Sequence, residues 1–408
     1  MTTLGRSTRR AWLLRLGGLG PLIPLGQLGA ALGLGGVPAQ AHPAQTAGAF
    51  APLADPVRRG RPLVFPRDHG AHPASRIEWW YVTGWLRDSG AAEPSSPSLS
   101  KRGLLGFQIT FFRSRTGLAE DLGGRLAPRQ LLFAHAALTD LDAATHQHDA
   151  RLGRWNGLNG LDSAPARVRA ALHDADVAVH GWRLHRQDAP ARWSADIAAR
   201  GFTLTVEMAR TQPLLLQGQA GFSRKGPQEA QASHYLSEPQ LVVTGQLRRS
   251  GRTQPVQGRA WLDHEWSDEL LHPEAVGWDW IGMNLDDGSA LTAFRLRRAD
   301  GSALWAGGSF RRAGQAQAQD FPSDTVRFEP GRRWRSPTSG GDYPVAWTVH
   351  TPAGRFSVQA LLDAQELDSR SSTGTVYWEG LSELQGDAGR RIGLGYLEMT
   401  GYAGRLVL

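Results

Sequence analysis

The stretch EWWYVTGWLRDSG, residues 78–90, is a Trp-rich strand pattern that ends in an Asp/Gly turn. It resembles GWDWIGMNLDDGS at 277–289, and another alternating strand pattern follows each of the two stretches. GRAWLDHE at 258–265 resembles GLGYLEMT at 393–400 in the same way, at a constant offset of 135 residues (393 − 258 = 135). We therefore predict two copies of one β-module. Each copy is most simply a closed barrel or a sandwich, because both arrangements avoid exposed strand edges.

The rest of the chain also alternates apolar and polar residues in short runs separated by Gly, Asp, Asn and Pro. This pattern predicts an all-β fold. ARVRAALHDA at 166–175 is the one modest helical candidate. We predict a first domain over residues 61–270 and a second over 271–408.

The N-terminus has the pattern of an export signal. Adjacent Arg9 and Arg10 precede a Gly-rich apolar stretch that ends at VPAQA, where small residues suit a cleavage site near Ala41. The paired arginines favour twin-arginine export over residues 1–41, with a flexible lead-in over 42–60. We therefore expect a periplasmic or secreted protein; the alternative is a retained membrane anchor.

The charge pattern does not indicate a nucleic-acid partner. The net charge is +7, but four of the arginines lie in the predicted signal and the others are scattered. The chain contains no cysteine, which excludes thiol nucleophiles and cysteine metal sites. Neither a G-x-S-x-G elbow nor a Gly-rich phosphate loop occurs.

The stretch GRAWLDHEWS carries the densest group of reactive side chains. Alternate residues of a strand share a face. One face, which we expect to point inward, has Ala260, Leu262, His264 and Trp266. The other face has Trp261, Asp263 and Glu265. Met399 takes the place of His264 in the second copy, so the first copy has a titratable group where the second has a core residue. We therefore take His264, Asp263, Glu265 and Trp266 as catalytic candidates, the alternative for His264 being a satisfied core histidine.

Metal and cofactor sites are not indicated. HEWSD begins like a zinc motif, but Asp268 stands where the second histidine would be required. His69 and His72 in DHGAH look like loop residues, so we predict no metal and no cofactor. Ser223 and Lys225 in GFSRKG could form a Ser–Lys nucleophile, although a turn is the simpler interpretation.

Six blocks in order resemble a known family: FPRDHGAHPASRIEWWYVTGWL, GFQITFFR, FAHAALTD, GFSRKG, HYLSEPQLVVTG and GRAWLDHEWS. They resemble the exported lipocalin-like, AttH-like family often labelled predicted secreted hydrolases, and more distantly hydroxyneurosporene synthase, a carotenoid hydratase. The resemblance runs from about residue 62 to the C-terminus. It implies two tandem lipocalin-like antiparallel β-barrels or sandwiches and an apolar small-molecule ligand.

The resemblance also implies site residues and partners. The His-x-Trp pair of the hydratase branch matches His264 and Trp266, and the nearby candidates for its Tyr and Asp partners are Tyr235 and Asp279. The predicted ligand-binding residues are His135, Tyr235, Trp278, Asp279 and Trp280. Association of the wider family with exporter components implies a membrane transporter as partner.

Three functions remain open at this point. The first is a hydratase or hydrolase that acts on an isoprenoid or lipid-like molecule, with His264 or a buried neutral carboxylic acid as proton donor. The second is a non-catalytic periplasmic protein that binds hydrophobic ligands for an exporter. The third is a structural module whose ionisable groups hold two barrels together. The sequence leaves the substrate and the oligomeric state open.

Overall fold

The computed structural model describes residues 56–90, 101–117, 129–155, 167–269 and 271–405. The predicted export signal and most of the lead-in lie outside these ranges, so both stay predictions. The described part is almost entirely β-structure, without an α-helix and with short 3-10 helices at Arg67–His69 and Ser323–Thr325. No helix in these ranges is long and apolar enough to cross a membrane.

Thirteen strands form the first antiparallel sheet. They are β1 (Ile77–Asp88), β2 (Leu105–Arg115), β3 (Gln130–Asp140), β4 (Thr145–Trp155), β5 (Val168–Ala170), β6 (Asp176–Val179), β7 (Trp182–Gln187), β8 (Arg192–Ala199), β9 (Phe202–Ala209), β10 (Leu215–Leu216), β11 (Phe222–Arg224), β12 (Ala232–Arg249) and β13 (Arg252–Ser267). The main order is β4-β3-β2-β1-β13-β12-β9-β8-β7-β6-β5. The two ends of this order approach each other, since His180, next to β6, contacts the Leu152 carbonyl of β4 through its Nε2 atom at 3.1 Å. The sheet therefore curls into a nearly closed barrel.

Ten strands form the second antiparallel sheet, and two more form a separate hairpin. The twelve are β14 (Gly277–Leu285), β15 (Ala290–Arg297), β16 (Ala303–Arg311), β17 (Gln319–Phe321), β18 (Arg327–Pro330), β19 (Arg333–Arg335), β20 (Asp342–Pro344), β21 (Ala346–Thr351), β22 (Gly354–Ala360), β23 (Glu366–Ser369), β24 (Thr375–Gln385) and β25 (Arg391–Met399). The main order is β17-β16-β15-β14-β25-β24-β22-β21-β18, and β19 pairs with β20.

The two sheets share one strand order around their first strand. β1 lies between β2 and the last strand β13, and β14 lies between β15 and the last strand β25. Each repeated sequence pair identified above therefore occupies equivalent strands of the two sheets. The predicted all-β fold with two antiparallel lipocalin-like sheets is confirmed.

The helical candidate at 166–175 is wrong over its described residues, 167–175. Val168–Ala170 forms β5, and its residues pair with β6, Val168 opposite Val179 and Ala170 opposite Val177. The two alternate apolar residues of β5 point into the barrel, where Val177 and Val179 are fully buried and Val168 packs against the same core. Tertiary burial thus decides the conformation of a short stretch whose local helical preference is modest.

The apolar core has three main parts. One fills the first barrel, around Trp80, Leu262 and many other side chains, and another fills the second sheet, around Ile281 and Trp347. The third lies between the sheets and includes Tyr81, Trp261, Trp280 and Phe294. The strands at this third part, such as β1 and β14, are therefore buried on both faces, whereas β9 alternates buried and exposed residues.

Candidate active site between the two sheets

A cavity of about 160 Å³ lies between the two sheets. Its walls are largely aromatic and come from both sheets; they include Trp79, Tyr81, Tyr235, Trp278, Trp280 and Phe294. Six acidic residues also line it: Glu78, Asp263, Glu265, Glu269, Glu379 and Glu398. An apolar cavity of about 150 Å³ accepts a benzene ring, so this volume suits a ring-sized part of a ligand.

Asp263 is a cavity residue whose carboxyl group accepts three side-chain hydrogen bonds. It lies on β13 and is 3% exposed. Its Oδ1 accepts hydrogen bonds from Ser237 Oγ at 2.5 Å and from Trp261 Nε1 at 2.7 Å. Its Oδ2 accepts a hydrogen bond from the Tyr235 hydroxyl at 2.7 Å. The carboxyl group is thereby fixed in orientation by three neighbours.

The neighbours of Tyr235 and Ser237 determine the direction of their hydrogen bonds to Asp263. The Trp280 indole N–H, which can only donate, approaches the Tyr235 hydroxyl at 3.2 Å, so the Tyr235 proton is directed to Asp263. The Gln217 amide donates to Ser237 Oγ at 2.9 Å and directs the Ser237 proton in the same way. Asp263 is therefore an acceptor in all three bonds. Since each carboxylate oxygen has two lone pairs, one acceptor position remains on Oδ2.

The surroundings of Asp263 favour proton exchange near neutral pH. Burial raises the pKa of Asp263 to about 7, although hydrogen bonds from Ser237, Tyr235 and Trp261 lower it. No ion pair to Asp263 occurs within the part of the chain that the structure describes. A carboxyl group with a pKa near the working pH can both accept and return a proton.

The second sheet contributes a pair of carboxyl groups to the opposite wall. Glu379 on β24 and Glu398 on β25 are direct cross-strand partners. Burial raises the pKa of Glu398 to about 8. Burial and the neighbouring Glu398 also raise the pKa of Glu379 well above its usual range. Two carboxyl groups held this close in an apolar wall retain at least one proton at neutral pH.

One side of the cavity is charged and less buried. Lys225 Nζ forms an ion pair with Glu265 Oε1 at 2.9 Å, and the Lys225 side chain is 22% exposed. The ammonium also lies over the rings of Tyr235 at 4.6 Å and Phe294 at 4.2 Å. Ser223, the other half of the candidate Ser–Lys pair, lies on β11 and is buried. Lys225 is therefore a wall residue whose charge is paired with a carboxylate.

His135 lines the cavity where strands of the two sheets meet. Its Nδ1 lies 2.8 Å from the Tyr377 hydroxyl and its Nε2 lies 2.9 Å from Ser372 Oγ. Burial lowers the pKa of His135 to about 3, so the ring is neutral. A neutral imidazole with both nitrogens hydrogen-bonded across the sheets holds the cavity wall in place.

His264 and Trp266 lie on the opposite face of β13 and do not line this cavity. The His264 ring is fully buried, stacks on Trp80 at 4.8 Å between centroids, and contacts Glu78 Oε1 through Nε2 at 3.0 Å. The Trp266 ring stacks on His72 at 3.7 Å. As expected from the sequence, the face of β13 that carries His264 and Trp266 points inward. Both side chains therefore point away from the cavity.

The surroundings of His264 could hold a metal ion by spacing alone. Ligand atoms of His72, Glu78 and His264 lie within 4.8 Å of one another. However, His72 Nδ1 already contacts Glu78 Oε1 at 2.7 Å, and the buried Arg113 pairs with Glu78 Oε2 at 2.7 Å. Although burial raises the pKa of Glu78, Arg113 and His72 hold it well below its usual range. The group is thus a charge-balanced hydrogen-bond network, and we assign no metal to it.

Asp279 also lies away from the cavity. It alternates along β14 with Trp278 and Trp280, so their side chains line the cavity and its carboxyl points into the second sheet's interior. There Arg295 Nε lies 2.7 Å from Asp279 Oδ2, and the Tyr402 hydroxyl donates to Oδ1 at 2.8 Å. Six of the nine predicted site residues therefore reach the cavity: His135, Tyr235, Asp263, Glu265, Trp278 and Trp280.

Among the cavity residues that were not predicted, three have titratable side chains that matter for the chemistry: Tyr81, Glu379 and Glu398. A signal for Glu398 was present, since it takes the place of Asp263 in the second copy of the repeat. Tyr81 and Glu379 are the cross-strand partners of Asp263 and Glu398. Pairing β1 with β13 and β24 with β25 would have identified them, but strand pairing was not assigned from the sequence.

Comparison with known proteins agrees with this architecture. A crystal structure from Nitrosomonas europaea, of a protein provisionally assigned as AttH, is 46% identical and covers 85% of this chain and 99% of that chain, with a TM-score of 0.75. Kievitone hydratase from Nectria haematococca is 14% identical, covers 87% of this chain and 98% of that chain, and has a TM-score of 0.61, which shows a shared fold. No curated protein sequence matches the chain. The AttH-like family profile matches residues 56–402, and the chain belongs to the AttH-like family.

Proposed function

We propose that this protein is an enzyme that adds or removes water at a carbon–carbon double bond of an apolar small molecule held in the cavity between the sheets. Asp263 is the acid–base group. One observation carries the proposal: a buried carboxyl group in an aromatic cavity, held by three donors, has one open acceptor position on Oδ2. The hydratase with a similar fold is in keeping with this chemistry.

The cavity supplies the parts that hydration requires. In the hydration direction, ionised Asp263 accepts a proton from a water as the water attacks the ligand; in the reverse direction protonated Asp263 donates to the leaving hydroxyl. The aromatic walls exclude bulk water and position the apolar part of the ligand. The neutral acids Glu379 and Glu398 lie on the other sheet, where charge on the ligand would develop.

Turnover with labelled water tests the proposal. The purified protein would be incubated with a panel of apolar alkenes and enones in water enriched in heavy oxygen, and products that have gained one labelled water would be sought by mass spectrometry. We expect such products from the native protein and a loss of about 10²–10⁴-fold in Asp263→Asn, the usual contribution of a general acid–base group. Because the ionised form acts in hydration, kcat/KM should rise with pH and level off above about pH 7.

Two controls separate this mechanism from its alternatives. Glu207→Gln, which changes an exposed carboxylate of the first sheet, should keep native turnover. Native turnover by a folded Asp263→Asn protein, together with loss in His264→Gln, would overturn the role of Asp263 in favour of the His264–Trp266 pair. Binding of the panel compounds without any labelled product would instead support a ligand-binding protein without turnover.

A further inference from the structure

Two buried polar atoms of the cavity wall lie near each other but make no hydrogen bond of ordinary length and angle, either with each other or with another described residue. They are the Tyr81 hydroxyl oxygen and Glu379 Oε1. Tyr81 is 6% exposed and Glu379 is 2% exposed, and both line the cavity. A buried polar group without a partner costs about 1–3 kcal/mol. Two such atoms in one cavity indicate a place where a ligand supplies the missing partner.

The two atoms come from different sheets but belong to one polar region. Tyr81 lies on β1 of the first sheet and Glu379 on β24 of the second. They are close enough that Glu379 contributes, after burial, to raising the pKa of the Tyr81 hydroxyl well above its usual range. Tyr81 is also the cross-strand partner of Asp263. The polar region therefore lies beside the acid–base group.

Both side chains act as hydrogen-bond donors. Tyr81 keeps its proton at any ordinary pH because its hydroxyl is buried. Glu379 keeps its proton because it is buried beside Glu398, and neither carboxyl has an ion pair within the described part of the chain. Two neutral O–H donors in an apolar wall suit one acceptor oxygen, and they stabilise negative charge that develops on it. A tyrosine and a neutral buried carboxylic acid do this for an enolate oxygen in ketosteroid isomerase.

We propose that the substrate is an enone, a carbonyl conjugated to a carbon–carbon double bond, whose oxygen is bound by Tyr81 and Glu379. This inference rests on the function proposed above and names its substrate class. A pure hydrocarbon would leave Tyr81 and Glu379 with no well-formed hydrogen bond inside the complex. It would also demand protonation of an unactivated alkene, for which buried carboxyl groups that retain their protons near neutral pH are weak acids.

The reaction then balances without a cofactor. Asp263 takes a proton from water, and the water oxygen forms a bond to the β-carbon of the enone. The electron pair of the double bond moves to the carbonyl oxygen as an enolate, which accepts hydrogen bonds from Tyr81 and Glu379. Protonated Asp263 returns its proton to the α-carbon, the carbonyl re-forms, and a β-hydroxy ketone leaves. Dehydration follows the same steps in reverse.

A binding measurement tests the donor pair independently of turnover. A phenol resembles an enol, so 2-naphthol and naphthalene form a probe pair that differs by one oxygen. We expect the native protein to bind 2-naphthol about tenfold more tightly than naphthalene, which is the ordinary contribution of one or two buried hydrogen bonds. Tyr81→Phe and Glu379→Leu should lose most of this preference, and Glu379→Gln, which keeps an N–H donor, should recover part of it.

Tyr343→Phe is the matched control, because its ring packs in the core of the second sheet and its hydroxyl bonds to Glu366, away from the cavity. It should keep the native preference, and thermal melting would confirm that each variant is folded. Equal binding of the two probes by the native protein, or an unchanged preference in folded Tyr81→Phe, would overturn the inference. Hydration of simple alkenes without this preference would leave the proposed function intact. A clear preference without turnover of any enone would leave the donor site intact and remove the proposed function.

Discussion

At the residue scale, Asp263 should lower the stability of the folded protein at and above neutral pH. Burial raises the pKa of Asp263 from 3.8 to about 7, so the folded state binds its proton more tightly than the unfolded state does. The free energy of unfolding therefore falls as pH rises from about 4 to about 7 and stays low above that range. The effect is on the order of 1.4 kcal/mol for each pKa unit.

Asp263→Asn should remove this dependence. We expect the stability of the variant, relative to native protein, to be greater by a few kcal/mol at pH 8 than at pH 4, because the neutral amide never has to ionise in the cavity. Urea unfolding of both proteins at the two pH values measures the difference. Glu207→Gln serves as the control, since an exposed carboxylate should give a difference near zero. A stability difference between Asp263→Asn and native protein that does not change with pH would show that Asp263 ionises as easily in the folded state as in the unfolded one.

At the element scale, the pairing of β1 with β13 determines where Tyr81 and Asp263 lie. Gly258 of β13 allows the backbones of the two strands to approach closely. A Cβ at Gly258 of β13 would overlap the Trp85 carbonyl oxygen of β1, which is backbone and cannot turn aside. Gly258→Ala should therefore push the two strands apart and destabilise the protein by about 1–3 kcal/mol or more, as overpacking does.

Gly386→Ala provides the comparison for Gly258→Ala. A Cβ at Gly386 would meet only Ile392 side-chain atoms at 3.6 and 3.7 Å, which is ordinary contact. Its melting temperature should stay close to the native value, whereas that of Gly258→Ala should fall by several degrees. Equal melting temperatures for the two variants would mean that the β1–β13 pairing tolerates a wider spacing. In that case the position of Asp263 would not depend on Gly258.

The element scale also explains which site residues could be predicted. Alternation along GRAWLDHEWS correctly separated Asp263 and Glu265 from His264 and Trp266. It could not say which face bears the site, because β13 is buried on both faces near its end and the usual contrast between a core face and a solvent face is absent. His264 attracted the prediction as the residue that differs between the repeats, yet the cavity lies on the face of Asp263.

At the scale of the whole molecule, the repeat was sufficient to predict two similar antiparallel sheets but not what lies between them. The cavity forms where the outer face of one sheet packs on the other. The periodicity of residues within a strand cannot predict how two sheets pack, because it reports only the faces of that strand. Tyr81 and Glu379 therefore escaped prediction although each stands opposite a carboxyl residue of a neighbouring strand. Their role depends on two sheets that meet only in the folded chain.

The contact between the sheets should make the molecule unfold as one unit, and Gln240 is the residue to test this. Gln240 on β12 donates from its amide to the carbonyls of Leu285 and Ser289, which belong to the second half of the chain, at 2.9 Å each. Gln240→Ala would remove two buried hydrogen bonds between the halves of the chain and leave each carbonyl with a single backbone donor. We therefore expect a loss of about 1–3 kcal/mol in one cooperative transition. Gln246→Ala, on the same strand but exposed, should stay within about 0.5 kcal/mol of the native protein. Scanning calorimetry measures both effects. Two separate transitions in the native protein would show that the sheets unfold independently, and the walls of the cavity would then be free to part before either sheet melts.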